Sequence, residues 1–136
     1  MKVFRIIALL VISPFSIASS YTVNYSFASD VNSGRAGGVL ARYVKTFENE
    51  CLEVEVISVK PNPQVLQGMS LCSFEGKPFS IGFAHAGFQN IFFAKDGVHL
   101  DLAITSLDPT GEEIRKCFIP VLNWRLSALQ CSSVIG

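Results

Sequence analysis

Turn-forming residues recur at short spacing between β-rich runs from Met69 onward. This punctuation confines the fold to antiparallel strands joined by tight connections. Glu75-Gly76-Lys77 separates Leu71–Phe74 from Phe79–Phe83. Asp96-Gly97 stands between two apolar runs and predicts a two-residue hairpin, because both central residues of such a primed turn take positive φ. Asp108-Pro109-Thr110-Gly111 predicts a four-residue turn, with proline pre-setting φ and glycine at its end. Val98, Leu100, Leu102 and Ile104 line one face of the strand between these turns, and Leu122, Trp124 and Leu126 do the same near the end.

The first half carries the same period. Tyr21, Val23, Tyr25 and Phe27 alternate with small and polar residues and predict a first strand, followed by a loop over Asp30 to Gly38. Residues 39–47 satisfy two templates. Val39, Leu40, Tyr43, Val44 and Phe47 fit one helical face, whereas Val39, Ala41, Tyr43 and Phe47 alternate as in a strand. Tandem Gly37-Gly38 weighs toward the strand, with a short helix as the alternative. Cys51 to Val59 is the next strand, ended by Pro61-Asn62-Pro63. About seven such strands predict an all-β chain, a β-sandwich of the fibronectin type III or immunoglobulin kind.

Residues 1–20 have the layout of a secretory signal peptide: Lys2 and Arg5, an apolar run from Ile6 to Ile17, then Ala18-Ser19-Ser20. The run, broken by Pro14, falls short of the ~20 residues that a spanning helix needs. Cleavage is expected after Ala18 or Ser20, leaving 21–136 as one secreted or periplasmic domain with no membrane span. Loss of Lys2 and Arg5 leaves 9 basic and 11 acidic residues, a net charge of −2. A chain so charged, with no basic block, lacks the footprint of a nucleic-acid binder. Export also places Cys51, Cys72, Cys117 and Cys131 in an oxidising compartment, where an even count implies disulfides. Three pairings exist. Cys51–Cys72 and Cys117–Cys131 are favoured because each pair can lie on strands close in sequence.

No catalytic or metal pattern is present. His85 and His99 have no partner spacing of the zinc type, and His99 falls beside Asp101 as a solvated pair. With every cysteine paired no thiolate remains, and the serine-hydrolase elbow is missing. Asp108, Glu112 and Glu113 gather at an expected hairpin tip, where carboxylates stay solvated, and the GRAGG stretch at 34–38 lacks the spacing of a phosphate loop. The expectation is therefore no catalytic residue, no metal and no cofactor. The aromatics say more: six of the 11 phenylalanines fall within residues 74–93. Phe92 and Phe93 are adjacent, so a regular strand sends them to opposite faces, and only one can enter a one-sided core. Phe88, Phe92, Phe93 and Trp124 are the candidate binding surface, with sandwich filling as the competing explanation.

The export layout, short mature chain, two disulfides and strand pattern ending in CFIPVLNWRLSALQC resemble the small secreted interleukin receptor mimic proteins of pathogenic Gram-negative bacteria. The resemblance is of layout over the mature chain and rests on no fingerprint motif. It implies a fibronectin type III-like fold, a domain-swapped homodimer, and a virulence role through binding of host cytokines or cytokine receptors. The leading expectation is an exported, non-enzymatic protein that binds an extracellular or host protein. A periplasmic small-molecule-binding module is one alternative, since the opening β-α-β pattern resembles that of solute-binding proteins. A small exported enzyme or enzyme inhibitor is another, and it requires a pocket where His85 or His99 meets a carboxylate.

Overall fold

A computed structural model of the protein describes residues 21–59, 61–108 and 111–132. The expected signal sequence at 1–20 and Pro109-Thr110 of the expected turn lie outside the described residues. The described chain is all-β and forms two facing antiparallel sheets. The first contains β1 (Ala28–Ala36), β2 (Val39–Thr46), β3 (Leu52–Ser58) and β4 (Gln64–Leu71), in that spatial order. A two-strand hairpin follows, β5 (Ser73–Phe74) and β6 (Lys77–Pro78), then one helical turn, α1 (Phe79–Gly82). The second sheet contains β7 (Phe83–Ala94), β8 (Gly97–Ser106), β9 (Glu112–Leu122) and β10 (Arg125–Leu126), with β11 (Gln130–Cys131) also paired to β9.

The class matches the reading of the sequence, and connectivity refines it. Apart from β11, which returns to β9, strands adjacent in the chain are neighbours in each sheet, so each sheet is a meander without the long return connection of a Greek key. Among the described residues eleven strands form where about seven were expected. Residues 39–46 are strand and not helix, because Val39, Ala41 and Tyr43 alternate into the core. One buried cluster joins both sheets, with Leu52, Val54 and Val56 on one side and Leu100, Leu102 and Ile119 on the other.

The turns differ most from expectation. Gly37-Gly38, Glu75-Gly76 and Asn123-Trp124 are the two-residue turns with positive φ at both positions, at 58° and 80°, 50° and 77°, and 52° and 64°. At Asp96-Gly97 the turn is shifted by one residue. Lys95-Asp96 spans the tip and Gly97 already pairs with Ala94. Gly97 has φ +150°, and a Cβ there would lie 2.1 Å from the Ile119 carbonyl oxygen. Backbone proximity and a φ that L residues rarely adopt, and not a place inside the two-residue turn, are what require glycine at this position.

Residues 21–27 are not the first strand. Tyr25–Phe27 form a single 3-10 turn, capped by Asn24, whose side chain accepts a hydrogen bond from the Ser26 amide. The expected loop is instead β1, polar because it is an exposed edge and needs no apolar alternation. The aromatics of the leading segment cover the outer face of the first sheet. Tyr25 donates to Glu55 Oε2 at 2.6 Å, Arg42 Nε donates to Glu55 Oε1 at 3.0 Å, and Arg42 Nη2 donates to the Tyr25 hydroxyl at 3.0 Å. Glu55 is fully buried, so this pairing is what makes its charge tolerable. Burial, first, and then Glu55 raise the Tyr25 phenol above its ordinary value, so it remains a donor.

Side chains and turns also link the two sheets at their edges. The Gly37 amide donates to the Ala94 carbonyl at 3.3 Å, and the Lys45 ammonium donates to the Phe88 carbonyl. At the opposite edge the Gln67 carboxamide accepts from the Leu126 amide at 2.7 Å. Both favoured disulfides are present. Cys51–Cys72 lies just outside the paired residues Leu52 and Leu71 at one end of the β3–β4 hairpin, and Cys117–Cys131 joins directly opposed residues of β9 and β11.

Candidate functional site

Register assembles the site on the outer face of the β7–β9 sheet. Val98, Leu100, Leu102 and Ile104 of β8 point inward, so His99, Asp101 and Ala103 point outward. His99 is opposed by Phe92 on β7 and by Phe118 on β9. The three rings stack into a ridge, with centroids 4.9 Å apart for Phe92–His99 and 4.8 Å for His99–Phe118. Asp96 holds the imidazole at its outer end, with Oδ1 2.8 Å from His99 Nε2. That hydrogen bond is the main reason the exposed Asp96 carboxyl sits below its ordinary value.

The next row is polar. Asp101 is nearly buried, and its Oδ2 accepts from Asn90 Nδ2 at 2.9 Å while Lys116 Nζ lies 3.0 Å from Oδ1. Asn90 reaches it from the bulge between Gln89 and Phe92, with φ +51°. The Asn90 bond, first, and the Lys116 ion pair hold the Asp101 carboxyl below its ordinary value against the opposing effect of burial. A depressed carboxylate contributes stability above its unfolded pKa, and that contribution is lost as pH falls through the folded pKa. Asp101→Asn is therefore expected to cost about 1.5 kcal/mol at pH 7. The gap to the parent, read from urea midpoints at pH 7, 5 and 3, should close toward acid.

Each expected binding residue now has a place. Phe88 is core, 3% exposed, and packs edge-on against Phe79 at 5.6 Å; it cannot belong to a surface. Phe93 turns inward, stacks on Tyr43 at 6.2 Å and presses on Gly34, where a Cβ would lie 2.5 Å from its ring. Phe92 faces solvent at 57% exposure, as the alternation of adjacent residues required. Trp124 does not lie on an apolar strand face: it is the second residue of a turn, 52% exposed, beside a groove shared with Leu66 and Arg125. The structure thus splits the four residues into two surface and two interior positions.

His99 pairs with Asp96 in place of the expected Asp101, because three residues across a hairpin bring their side chains together. His85 is exposed and opposes Thr105. Glu112 and Glu113 are consecutive in β9 and so lie on opposite faces, which dissolves the expected acidic group. Gly34 to Gly38 form the end of β1 and its turn, not a phosphate loop. Phe118, Asn90 and Lys116 were not singled out in the sequence, since only the β8–β9 register and the bulge in β7 bring them to His99 and Asp101.

One groove lies beside the ridge, and a second opens at the β7 edge of the same sheet. The smaller, about 410 Å³, is lined by Asn90, Phe92, His99, Asp101 and Lys116 among others. Its one sulfur, Cys117, is held in a disulfide, and its described lining residues include no serine, threonine or tyrosine. The larger, about 570 Å³, runs between β7 and the loop joining β2 to β3, with Lys45, Glu48, Glu50, His85, Gly87 and Gln89 in its wall. Among the described residues no three His, Cys, Asp or Glu side chains converge to hold a metal, and no helix is long and apolar enough to cross a membrane. Two disulfides are compatible with an extracellular or periplasmic location. No family model, curated protein or solved structure matches the chain.

Proposed function

We propose that the chain is an exported, non-enzymatic binding protein whose outer β7–β9 face recognises a partner protein. The observation that carries this reading is aromatic surface held in water where folding does not need it. Phe92 and Trp124 are each more than half exposed. Trp124 moreover occupies φ +64°, a conformation that glycine adopts without cost and a bulky residue does not. Phe118, Pro120 and Leu122 alternate outward along β9 from the ridge toward this turn, so aromatic and aliphatic groups share one side of the molecule. Buried aromatic anchors dominate protein interfaces.

Export is supported by the charged, apolar and small-residue order of 1–20 together with the disulfides. The finer reading takes the partner as a host cytokine or cytokine receptor, and the protein as a virulence factor forming a domain-swapped homodimer. What supports it is the layout of the chain. Three variants test the surface against a panel of immobilised cytokines and receptor ectodomains. Phe92→Ala should leave the melting temperature within a few degrees of the parent and abolish capture. Trp124→Gly should leave stability unchanged or raise it by about 0.5 kcal/mol, since a left-handed strain is relieved, and should also weaken capture. Phe93→Ala should cost about 2–3 kcal/mol by opening the Tyr43–Gly34 contact. Equal capture by the parent and Phe92→Ala proteins would overturn the reading.

A further inference from the structure

The two grooves adjoin at one rung of the β7–β8 ladder, which lays out a track along β8. Gln89 lines the larger and Asp101 the smaller, and these two residues are directly opposed in the β7–β8 ladder. Beyond them the row Gly87–Ala103 supplies a floor with almost no side chain. Glu50 and His85 overhang it: a Cβ on Gly87 would stand 3.7 Å from Glu50 Oε2 and 3.8 Å from His85 Nε2. The track therefore runs along β8 from the Phe92–His99–Phe118 ridge to a shallow floor. His99 and Ala103 are four residues apart, about 13 Å at the rise of a strand.

Charge is unequal along it. Lys45, which lines the larger groove, donates to the Phe88 carbonyl, so its ammonium is engaged within the fold. Glu48 and Glu50, on the β2–β3 loop, are exposed and border the same groove, as does the exposed ring of Phe47. Lys116, at the other end, is tied to Asp101. A ligand thus meets aromatic surface at the ridge and carboxylates at the floor.

Resting on the reading of this face as a protein-binding surface, we propose that the track takes an extended segment of the partner. An apolar or aromatic side chain packs on the ridge, and a lysine or arginine four residues along the segment reaches Glu48 and Glu50. Glycine at position 87 allows the segment's backbone to lie close to the floor, and the carboxylates with the Phe47 ring suit a cation.

A displayed library of random heptapeptides, selected on the folded, disulfide-bonded protein, tests this. Enriched peptides should carry a basic residue four positions from an aromatic or aliphatic one. The Glu48→Gln/Glu50→Gln double variant, altered only at exposed positions, should weaken the best synthetic peptide about tenfold. Gly87→Val should weaken it at least as much while melting with the parent, because its Cβ meets only ordinary contacts. Peptides that depend on Phe92 but not on Glu48, Glu50 or Gly87, or that are neutral or acidic, would overturn the basic segment and leave the binding face standing. Peptides that depend on none of these residues, or no enrichment, would overturn both. A concentration-dependent dimer abolished by Gly87→Val would assign the track to a second copy instead.

Discussion

Reducing both disulfides is expected to move the urea midpoint of the protein far down. The crosslinks close chain separations of 21 and 14 residues. Loops of that size contribute about 3 kcal/mol each in the chain-entropy model, so about 6 kcal/mol together. A domain of this length has a total stability of roughly 5–15 kcal/mol, and the loss removes a large part of it. Their placement adds to the argument. Cys117–Cys131 secures β11, a two-residue strand paired only with β9, and Cys51–Cys72 fastens one end of the β3–β4 hairpin. Urea unfolding followed by circular dichroism, with and without a phosphine reductant, measures the effect. Each single pair replaced by serine should lose about half of it. An unchanged midpoint after complete reduction would show that the sheets alone suffice.

The second large effect is expected at Gly97. Gly97→Ala should cost about 3 kcal/mol, the sum of a φ that L residues rarely adopt and a clash with rigid backbone. At the Ile119 carbonyl oxygen the contact would be 2.1 Å, and the β9 strand that carries it cannot retreat without disturbing the β8–β9 ladder. A fall in melting temperature of about 12 °C corresponds to that cost. Gly38→Ala is the matched comparison. It shares a positive φ, at +80°, but nothing lies within 4 Å of its Cβ, so only the conformational cost of about 1 kcal/mol remains. Calorimetry of the two variants separates backbone crowding from φ alone; equal losses would remove crowding as the cause.

What the sequence made legible was whatever repeats locally. Val98 to Ile104 read correctly because every apolar position of the alternation is buried on a central strand, and the cysteine pairs read correctly because both join segments near in sequence. Edges and turns were harder. β1 is polar along most of its length, so it looked like loop, whereas Tyr21–Phe27 alternate perfectly and form no strand. Their aromatic rings serve the outside of a sheet already formed, a tertiary use that local pattern does not express. Trp124 was misplaced for a related reason: an Asn-Trp pair is not a customary left-handed turn. Of the candidate site, Phe92 was legible from its adjacency to Phe93. Its partners His99 and Phe118 became visible only through register, which depends on where a bulge falls in β7.

The hydrogen bonds that tie β7 to the first sheet bear on how this molecule can meet others. Outer strands of a sheet are the usual templates for intermolecular ladder growth and for aggregation. In β7 the carbonyl groups of Phe88 and Ala94 already accept, from Lys45 and from the Gly37 amide. The bulge at Asn90 breaks the regular spacing between them. An incoming strand therefore finds its docking points occupied and out of step. Strand addition at this edge of the second sheet is thereby disfavoured, and a partner that meets β7 gains more from its side chains than from its main chain.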